Sequence, residues 1–307
     1  MKAIVFNEYG PADVLRLQDV EDPEPGLGQV RIAVRAAGVN PLDHKIRSGA
    51  MREFMPVDFP HLPGTEASGV IDAVGDGVTG FAVGDEVFGR TSSGSYAERT
   101  LAEADRITRK PDALSWPEAA ALPVATETAY RSLEELGVRA GETLIIHGAA
   151  GGVGTIAVQI AVARGVRVIG TASPGNHAHL RSLGATPVRY GPGLVDAVRA
   201  VAPDGVDAAL DLSGQGEALE ASIELTGGTD RVLEIANRAV SEPFGVRFSA
   251  GGAGEYRGGP AAAEAIELIA AGKLHILIHR CCPLAEAADA QRASETGHLT
   301  GKIVLTV

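Results

Sequence analysis

The sequence predicts an α/β fold with two domains, a small β-barrel-like domain and a doubly wound parallel sheet. Three observations lead to this prediction. The chain has 307 residues, more than a single hydrophobic core usually organises. Residues 1–120 alternate short β-like runs with glycine and proline turns. From Glu142 onward, apolar strand-like runs alternate with helical patterns.

The composition indicates a folded protein and argues against two classes of partner. Hydrophobic residues make up 45% of the chain and charged residues 21%, which is typical of globular domains. The net charge is −12, whereas nucleic acids and anionic membrane surfaces attract lysine and arginine. We therefore expect neither a nucleic acid nor a membrane as a partner.

Cysteine usage and the amino-terminal run predict a cytoplasmic protein. Cys281 and Cys282 are adjacent, so they build neither a disulfide framework nor a four-cysteine zinc site. The opening run MKAIVFNEYG contains no apolar signal region. The segment Thr143–Ala163 lacks charged residues, but its glycines divide it into strand, turn and helix, so we do not interpret it as a membrane span.

The first predicted domain covers residues 1–120. Turn sequences recur in it, for example at Pro23–Gly26, at Gly75–Gly77 and at Val83–Asp85. Frequent short strands with such turns are typical of a small β-barrel. The predicted strands are Lys2–Asn7, Val30–Ala37, Ala67–Val74 and Asp85–Phe88.

The second predicted domain covers residues 121–272. A helix is expected to begin at Trp116, with Ser115 as its N-cap and Pro117 in its first turn. The alternation of strands and helices that follows is typical of a doubly wound parallel sheet. The predicted strands are Thr143–His147, Arg167–Gly170, Pro187–Tyr190, Val206–Asp211, Arg231–Ile235 and Val246–Phe248.

The carboxyl-terminal segment, residues 273–307, is expected to return to the first domain. A helical pattern near Ala261–Ala271 comes before it. The segment itself contains an apolar run at Leu274–Ile278, a predicted helix at Leu284–Ser294 and a final strand at Lys302–Val307.

A glycine-rich turn between a buried strand and a helix predicts a dinucleotide site. The strand ending at His147 is followed by Gly148, Gly151, Gly152 and Gly154, and then by a helix to Arg164. Glycines let backbone N–H groups approach a pyrophosphate, and the helix N-terminus stabilises the anion.

The end of the next predicted strand favours NADPH over NADH. Enzymes that use NAD tend to place a carboxylate there to bind the ribose 2′-hydroxyl. This chain instead has the run Thr171–Ser173, which would not repel a 2′-phosphate. His177 and Arg181 follow as possible cations, whereas we interpret His179 as an ordinary polar residue of a surface helix.

Several ordered motifs together resemble those of one enzyme superfamily. They are Ala37–Asp43, Pro63–Gly69, Val83–Gly89, the turn Ala149–Gly154 and the tail Gly301–Leu305. Over essentially its full length the chain resembles the medium-chain dehydrogenase/reductase superfamily. Within it, the chain is most similar to the zinc-independent quinone oxidoreductase branch that includes zeta-crystallin.

This resemblance implies a GroES-like catalytic domain, a Rossmann domain that binds NADPH, and a cleft between them for nicotinamide and substrate. It also implies a homodimer. The cofactor contacts that it implies are Thr128, Gly151, Gly152, Val153, Gly154, Ser173, Tyr190 and the neighbourhood of Phe248.

The residues at two positions where related enzymes bind zinc argue against a catalytic zinc in this chain. Zinc alcohol dehydrogenases carry a cysteine where this chain has Asn40, and a histidine where it has Thr65. Their four-cysteine lobe is missing as well, because Arg90–Tyr96 occupies that region. A catalytic zinc needs three converging protein ligands, so we expect no metal, and we interpret His44 and His61 as surface or internally bonded residues.

Without a Lewis acid, the expected chemistry is reduction of an acceptor that is already electrophilic. Asn40 is the first catalytic candidate, because its amide can bond the acceptor oxygen or the nicotinamide ribose. Asp43 is a candidate for orienting a neighbour. Lys45 stands where related enzymes often have a tyrosine, and could supply positive charge. His44 and Arg47 are interpreted as polar surface residues of this segment.

The predicted function is therefore NADPH-dependent reduction of a quinone or an α,β-unsaturated carbonyl compound. A second enzyme reading is an enoyl reductase that acts on a carrier-bound or polyketide-like enone. A third is a non-catalytic structural or RNA-associated protein similar to zeta-crystallin, against which the net charge of −12 and the intact glycine turn both weigh. The acceptor should be selected by the loops Met51–Phe59 and Ala236–Phe244, whose shapes the sequence does not reveal.

Overall fold

The computed structural model describes residues 1–252, 254 and 256–307. The chain divides into two compact units, which we describe separately. The first unit combines Met1–Val124 with Ile276–Val307, and the second is Ala125–His275.

The amino-terminal part of the first unit consists mainly of antiparallel strands. Its elements are β1 Lys2–Val5, β2 Arg16–Asp19, β3 Gln29–Val39, α1 Pro41–Arg47, β4 Glu66–Val74, β5 Glu86–Arg90, β6 Arg99–Glu103, β7 Ile107–Arg109 and α2 Trp116–Ala120. In β3, Val30, Ile32 and Val34 are buried, because alternate residues of a strand face the same side of the sheet. The strand pairs with β4 along most of its length and with β6 near its start.

The predicted helix start at Trp116, with Ser115 as its N-cap, is confirmed in α2. Ser115 is the N-cap, and the backbone N–H of Ser115 donates to the Glu118 carboxylate at 2.9 Å. This reciprocal capping satisfies backbone groups that a helix leaves without partners at its beginning.

The second unit alternates helices and strands. Its first helix is α3 Pro123–Leu136, of which Pro123 and Val124 are counted with the first unit. Its other elements are β8 Thr143–His147, α4 Gly152–Ala163, β9 Arg167–Thr171, α5 His177–Ser182, β10 Thr186–Val188, α6 Leu194–Val201, β11 Ala208–Asp211, α7 Gly216–Thr226, β12 Val232–Glu234, α8 Arg238–Ser241, β13 Arg247–Phe248 and α9 Gly258–Ala270. Ile145, Ile169, Ala209 and Val232 lie in its buried core.

Within the described residues, the strands of this unit form a parallel sheet in the order β10-β9-β8-β11-β12-β13. This is the strand order of a doubly wound Rossmann sheet, and it confirms the predicted fold class. The order reverses between β8 and β11. Ligands of such sheets bind outside the carboxyl ends of the strands at this reversal.

The carboxyl-terminal segment adds two strands and a helix to the first unit. They are β14 Ile278–Pro283, α10 Ala287–Glu295 and β15 Lys302–Thr306. Strand β15 pairs antiparallel with β3, and β14 pairs parallel with β15.

The apolar run Leu274–Ile278 is not a strand, except for its last residue, where β14 begins. The reason lies in the backbone of His275, whose N–H and carbonyl group both bond the Gln159 side chain, at 2.8 Å and 3.0 Å. At His275 a side chain therefore takes the place of a neighbouring strand, whereas the Leu277 carbonyl oxygen already accepts from the Lys302 N–H of β15 at 2.9 Å. Across the described residues, none of the helices has the length and apolar character that crossing a bilayer requires.

Candidate functional site

The glycine turn that joins β8 to α4 is tightly packed. Gly148 has φ 71°, in the left-handed region that favours glycine. Gly151 is the N-cap of α4, and Gly152 is its first residue. A Cβ on Gly154 would stand 2.3 Å from the Gly148 carbonyl oxygen, so a larger residue would push the helix away from the turn.

The start of α4 fits a dinucleotide pyrophosphate. The first backbone N–H groups of a helix have no acceptor within the helix. The 12 residues of α4 give it a full dipole, and its first turn contains no acidic residue that would compete with an anion. The predicted contacts Gly151, Gly152, Val153 and Gly154 therefore lie together at one helix N-terminus.

A buried histidine lies directly before this turn. His147 is 1% exposed, its Nδ1 is 3.2 Å from Thr171 Oγ1, and its Nε2 is 3.0 Å from Ser222 Oγ. Burial lowers the pKa of the imidazole, against the opposing charge of Asp211. A neutral His147 thus links the ends of β8 and β9 to α7, a role that the sequence analysis missed.

The structure places two predicted cofactor contacts, Ser173 and Tyr190, just beyond the carboxyl ends of β9 and β10. Thr171 pairs with Val188, so Ser173 and Tyr190 each follow two residues beyond that pair. Ser173 is half-buried and Tyr190 is 52% exposed. The sheet therefore presents both residues at the same edge.

The three charged or imidazole candidates in this region differ in their contacts. His177 is half-buried, with Nε2 3.3 Å from the Ala172 carbonyl oxygen. Arg181 is exposed on α5. His179 packs towards α4, where its Nε2 lies 3.3 Å from Thr155 Oγ1. This hydrogen bond connects α5 with α4.

Two further predicted cofactor contacts belong to other elements of the second unit. Thr128 is half-buried in α3, and its carbonyl oxygen accepts from the Ser132 hydroxyl at 2.7 Å. Phe248 ends β13, and the Arg238 guanidinium lies over its ring at 5.0 Å.

In the first unit, Asn40 belongs to a buried polar group that we call the Asn40 cluster: Asn40, Glu66 and Lys302. These residues are 5%, 0% and 7% exposed. Asn40 Nδ2 donates to Glu66 Oε1 at 2.8 Å, and Lys302 Nζ donates to the same oxygen at 2.8 Å. Lys302 Nζ also donates to Asn40 Oδ1.

Glu66 is enclosed on every side. Its second oxygen accepts from the backbone N–H of Val124 at 2.7 Å. A Cβ on Gly38 would stand 2.1 Å from Glu66 Oε1, so only glycine leaves room for this carboxylate. Glu66 and Lys302 were missed as site residues, although both lie within motifs that carried the family resemblance.

Asp43 bonds the backbone of Asn40 and is itself buried. It is 2% exposed, and its Oδ2 accepts from the Asn40 N–H at 2.8 Å and from the Tyr96 hydroxyl at 2.9 Å. Among the described residues, its Oδ1 has no hydrogen-bond partner. Burial raises the pKa of Asp43 to about 6, although these hydrogen bonds and Lys302 oppose the rise.

We expect Asp43 to make the folded chain less stable as the pH rises from about 4 to about 6. An unfolded aspartate has a pKa of about 3.9, so in this window only the folded chain keeps the proton. Raising the pH then favours unfolding, by up to about 3 kcal/mol at 1.36 kcal/mol per pH unit. Urea unfolding across this range should show the decline relative to Asp43→Asn. Identical pH profiles for the two proteins would contradict the buried, protonated carboxyl group.

The other residues of α1 divide into two groups. Lys45 and His44 are half-buried. The surface interpretation of Arg47 is wrong, because this residue is 2% exposed. Its guanidinium donates to Gln291 Oε1 at 2.9 Å and to the Gly10 carbonyl oxygen at 3.1 Å, and it pairs with Glu295. Arg47 therefore holds α1 against α10.

The donor groups of a metal site do not come together in the described part of the chain. No group of three or more His, Cys, Asp or Glu side chains there has the arrangement to hold a metal ion. Cys281 is exposed and Cys282 is buried.

Two family profiles match the chain. One, described as the alcohol dehydrogenase GroES-like domain, matches residues 26–112, and one described as a zinc-binding dehydrogenase matches residues 183–305. Both profiles describe parts of dehydrogenases, in agreement with the superfamily that the motifs resemble.

Curated relatives include a reductase, a synthase and a quinone oxidoreductase. The 2-methylene-furan-3-one reductase of Solanum lycopersicum is 36% identical over 99% of this chain and 79% of its own length. The pikromycin polyketide synthase component PikAII of Streptomyces venezuelae is 38% identical over 93% of this chain, which spans 8% of that synthase. The quinone oxidoreductase of Mus musculus is 46% identical over 56% of this chain and 52% of its own length.

Solved structures with the same fold cover the whole chain. The quinone oxidoreductase from Coxiella burnetii has a TM-score of 0.87 at 33% identity and is covered over 99% of its chain. The Escherichia coli quinone oxidoreductase complexed with NADPH has a TM-score of 0.89 at 26% identity, and an NAD-dependent alcohol dehydrogenase one of 0.88 at 30% identity; both are covered completely. The chain therefore belongs to the medium-chain dehydrogenase/reductase superfamily of oxidoreductases, in its quinone oxidoreductase branch.

Proposed function

We propose that this protein is an NADPH-dependent oxidoreductase that reduces a quinone or an α,β-unsaturated carbonyl compound without zinc. The observation that carries the proposal is the buried amide of Asn40. It stands where zinc relatives have a metal ligand, and here it is bonded to Lys302 and Glu66. An ammonium group already occupies the position beside it, so a second cation at this point would be repelled.

The preference for NADPH rests on the ends of β9 and β10. Ser173 and Tyr190 offer hydroxyl groups there, and the run Thr171–Ser173 contains no carboxylate. His177 and Arg181 follow on the next helix. A relative crystallised with NADPH agrees with this assignment, although one structural neighbour is described as NAD-dependent.

The chain's own residues then have distinct tasks. When bound, the reduced nicotinamide supplies a hydride. The N–H groups at the start of α4 hold the pyrophosphate, and Asn40 donates a hydrogen bond to the acceptor oxygen as negative charge develops on it. A donor that is fixed before the reaction stabilises this charge without reorganisation. Water supplies the proton that completes the reduction.

Activity measurements test the proposal directly. We expect NADPH consumption with simple quinones or enones, unchanged by chelators, and substoichiometric zinc in the purified protein. One tightly held zinc per chain, or activity that a chelator removes, would refute the zinc-free mechanism.

A second candidate function is reduction of a carrier-bound or polyketide-like enone. The observation that favours it is the 38% identity to a polyketide synthase component over 93% of this chain. Comparing enoyl thioesters with simple quinones at matched concentrations separates the two candidates, because the preferred acceptor has the higher kcat/KM. A strong preference for the thioester would replace the first proposal with the second.

We expect Asn40→Ala to lower kcat at least about tenfold, or about 1.4 kcal/mol of transition-state stabilisation. The reason is that a donor aimed at a developing charge acts mostly in the transition state. NADPH affinity should change little, which a fluorescence titration measures. Asn7→Ala, at an exposed position of the same unit, serves as the control. Loss of NADPH binding in Asn40→Ala would instead assign its amide to the ribose.

A further inference from the structure

The ammonium group of Lys302 is completely bonded inside the first unit. Its Nζ donates to Glu66 Oε1 at 2.8 Å, to the Val39 carbonyl oxygen at 3.3 Å and to Asn40 Oδ1. An ammonium has three hydrogens to donate, and these three acceptors match that number. Lys302 therefore has a defined position, which strand β15 provides by pairing with β3.

The two charges of the Asn40 cluster contact opposite ends of the Asn40 amide. Its oxygen contacts the positive group, and its nitrogen contacts the negative carboxylate of Glu66. Exchanging the two ends of the amide would place an oxygen against a carboxylate and an NH₂ group against an ammonium. Both contacts would be repulsive in a site where burial strengthens electrostatic interactions.

We propose that Lys302 is a positioning residue, which together with Glu66 holds the Asn40 amide in one orientation so that it presents an N–H to the acceptor. One Nδ2 hydrogen is donated to Glu66 and Oδ1 accepts from Lys302, so the second Nδ2 hydrogen is available to donate. The inference rests on the proposed function, because it gives a cause for the donor role of Asn40. It adds that this side chain meets the acceptor as a hydrogen-bond donor.

The test removes both charges together, because Lys302→Met alone would leave the buried Glu66 carboxylate without its charged partner. In the double variant Glu66→Gln/Lys302→Met, neither amide orientation of Asn40 meets a charge. We expect kcat to fall about three- to tenfold, with NADPH affinity unchanged. The matched control is Glu86→Gln/Lys110→Met, which removes another ion pair of the first unit, 3.0 Å long and formed by a mostly buried lysine. It should keep full kcat.

A mutant cycle separates positioning from a general loss of stability. If Lys302 and Glu66 act through Asn40, their removal should have no further effect on kcat in the Asn40→Ala background. The single variant Lys302→Arg keeps the positive charge beside Asn40. Its kcat should therefore lie between those of the wild-type protein and of Glu66→Gln/Lys302→Met. Equal effects with and without Asn40 would overturn the inference.

A readout without catalysis distinguishes this inference from the proposed function. The side-chain NH₂ signals of Asn40, identified by their absence in Asn40→Ala, should be sharp and exchange slowly with solvent in the wild-type protein. In Glu66→Gln/Lys302→Met they should broaden or exchange faster. Unchanged signals would overturn the positioning role. If Asn40→Ala keeps full kcat while these signals respond as expected, the proposed donor role fails and the orientation by Lys302 stands.

Discussion

Gly152→Val is expected to weaken NADPH binding at least about a hundredfold, or about 2.8 kcal/mol, while the fold survives. Gly152 is the first residue of α4 and follows the N-cap Gly151. A branched side chain there would occupy the space in which a pyrophosphate approaches the backbone N–H groups. Nicotinamide fluorescence measures the affinity, and thermal unfolding shows whether the protein remains folded.

Two other glycines supply the controls. Gly259→Val places the same side chain in the first turn of α9, where an added Cβ meets no atom of the described residues within 4 Å. NADPH affinity should therefore stay at its wild-type value. Gly154→Val should destabilise the fold itself, because its Cβ would stand 2.3 Å from a backbone oxygen. Normal NADPH affinity in Gly152→Val would mean that the turn has only a structural role.

The features that the sequence predicted well are those that depend on neighbours in the chain. The strand at Thr143–His147, the glycine turn and the helix after it appear together because residue periodicity and glycine position are local signals. Ser115 was identified for the same reason, since a cap and its partner Glu118 are three residues apart. The alternation of such elements was sufficient to predict the parallel sheet.

The buried polar groups were not predictable, because their partners are distant in sequence. Lys302 meets Asn40 across 262 positions, and Arg47 meets Gln291 across 244. Lysine and arginine are usually exposed in folded proteins. This expectation led to the wrong interpretation of Arg47. Only the pairing of β15 with β3 and the packing of α10 bring these groups together.

The run Leu274–Ile278 shows a second limit of sequence patterns. Its apolar residues suit a strand, but Gln159 supplies the backbone partners of His275 from within α4. The conformation at His275 therefore depends on the side chain of Gln159, 116 positions earlier in the sequence. The apolar pattern of a single segment contains no information about such a contact.

Ser173→Asp is expected to lower NADPH affinity at least about tenfold and to reverse the preference towards NADH. Ser173 lies just beyond β9, at the edge that also presents Tyr190. A carboxylate near the 2′-phosphate would repel it by about 1 kcal/mol in bulk water and about 4 kcal/mol near a protein surface, for unit charges 4 Å apart. The same carboxylate accepts a hydrogen bond from the 2′-hydroxyl of NADH. Parallel titrations with both cofactors measure the change.

Ser173→Asn is the matched control, because asparagine has the size of aspartate without its charge. We expect it to change the preference much less than Ser173→Asp does. Added salt should reduce the difference between the two variants, since exposed charges are screened within about 10 Å at an ionic strength of 0.1 M. Arg181→Ala should weaken NADPH more than NADH if its guanidinium contributes to the same contact. Equal loss of both cofactors in Ser173→Asp would show that Ser173 contacts a part of the dinucleotide that NADH and NADPH share, and that the preference for NADPH is determined elsewhere.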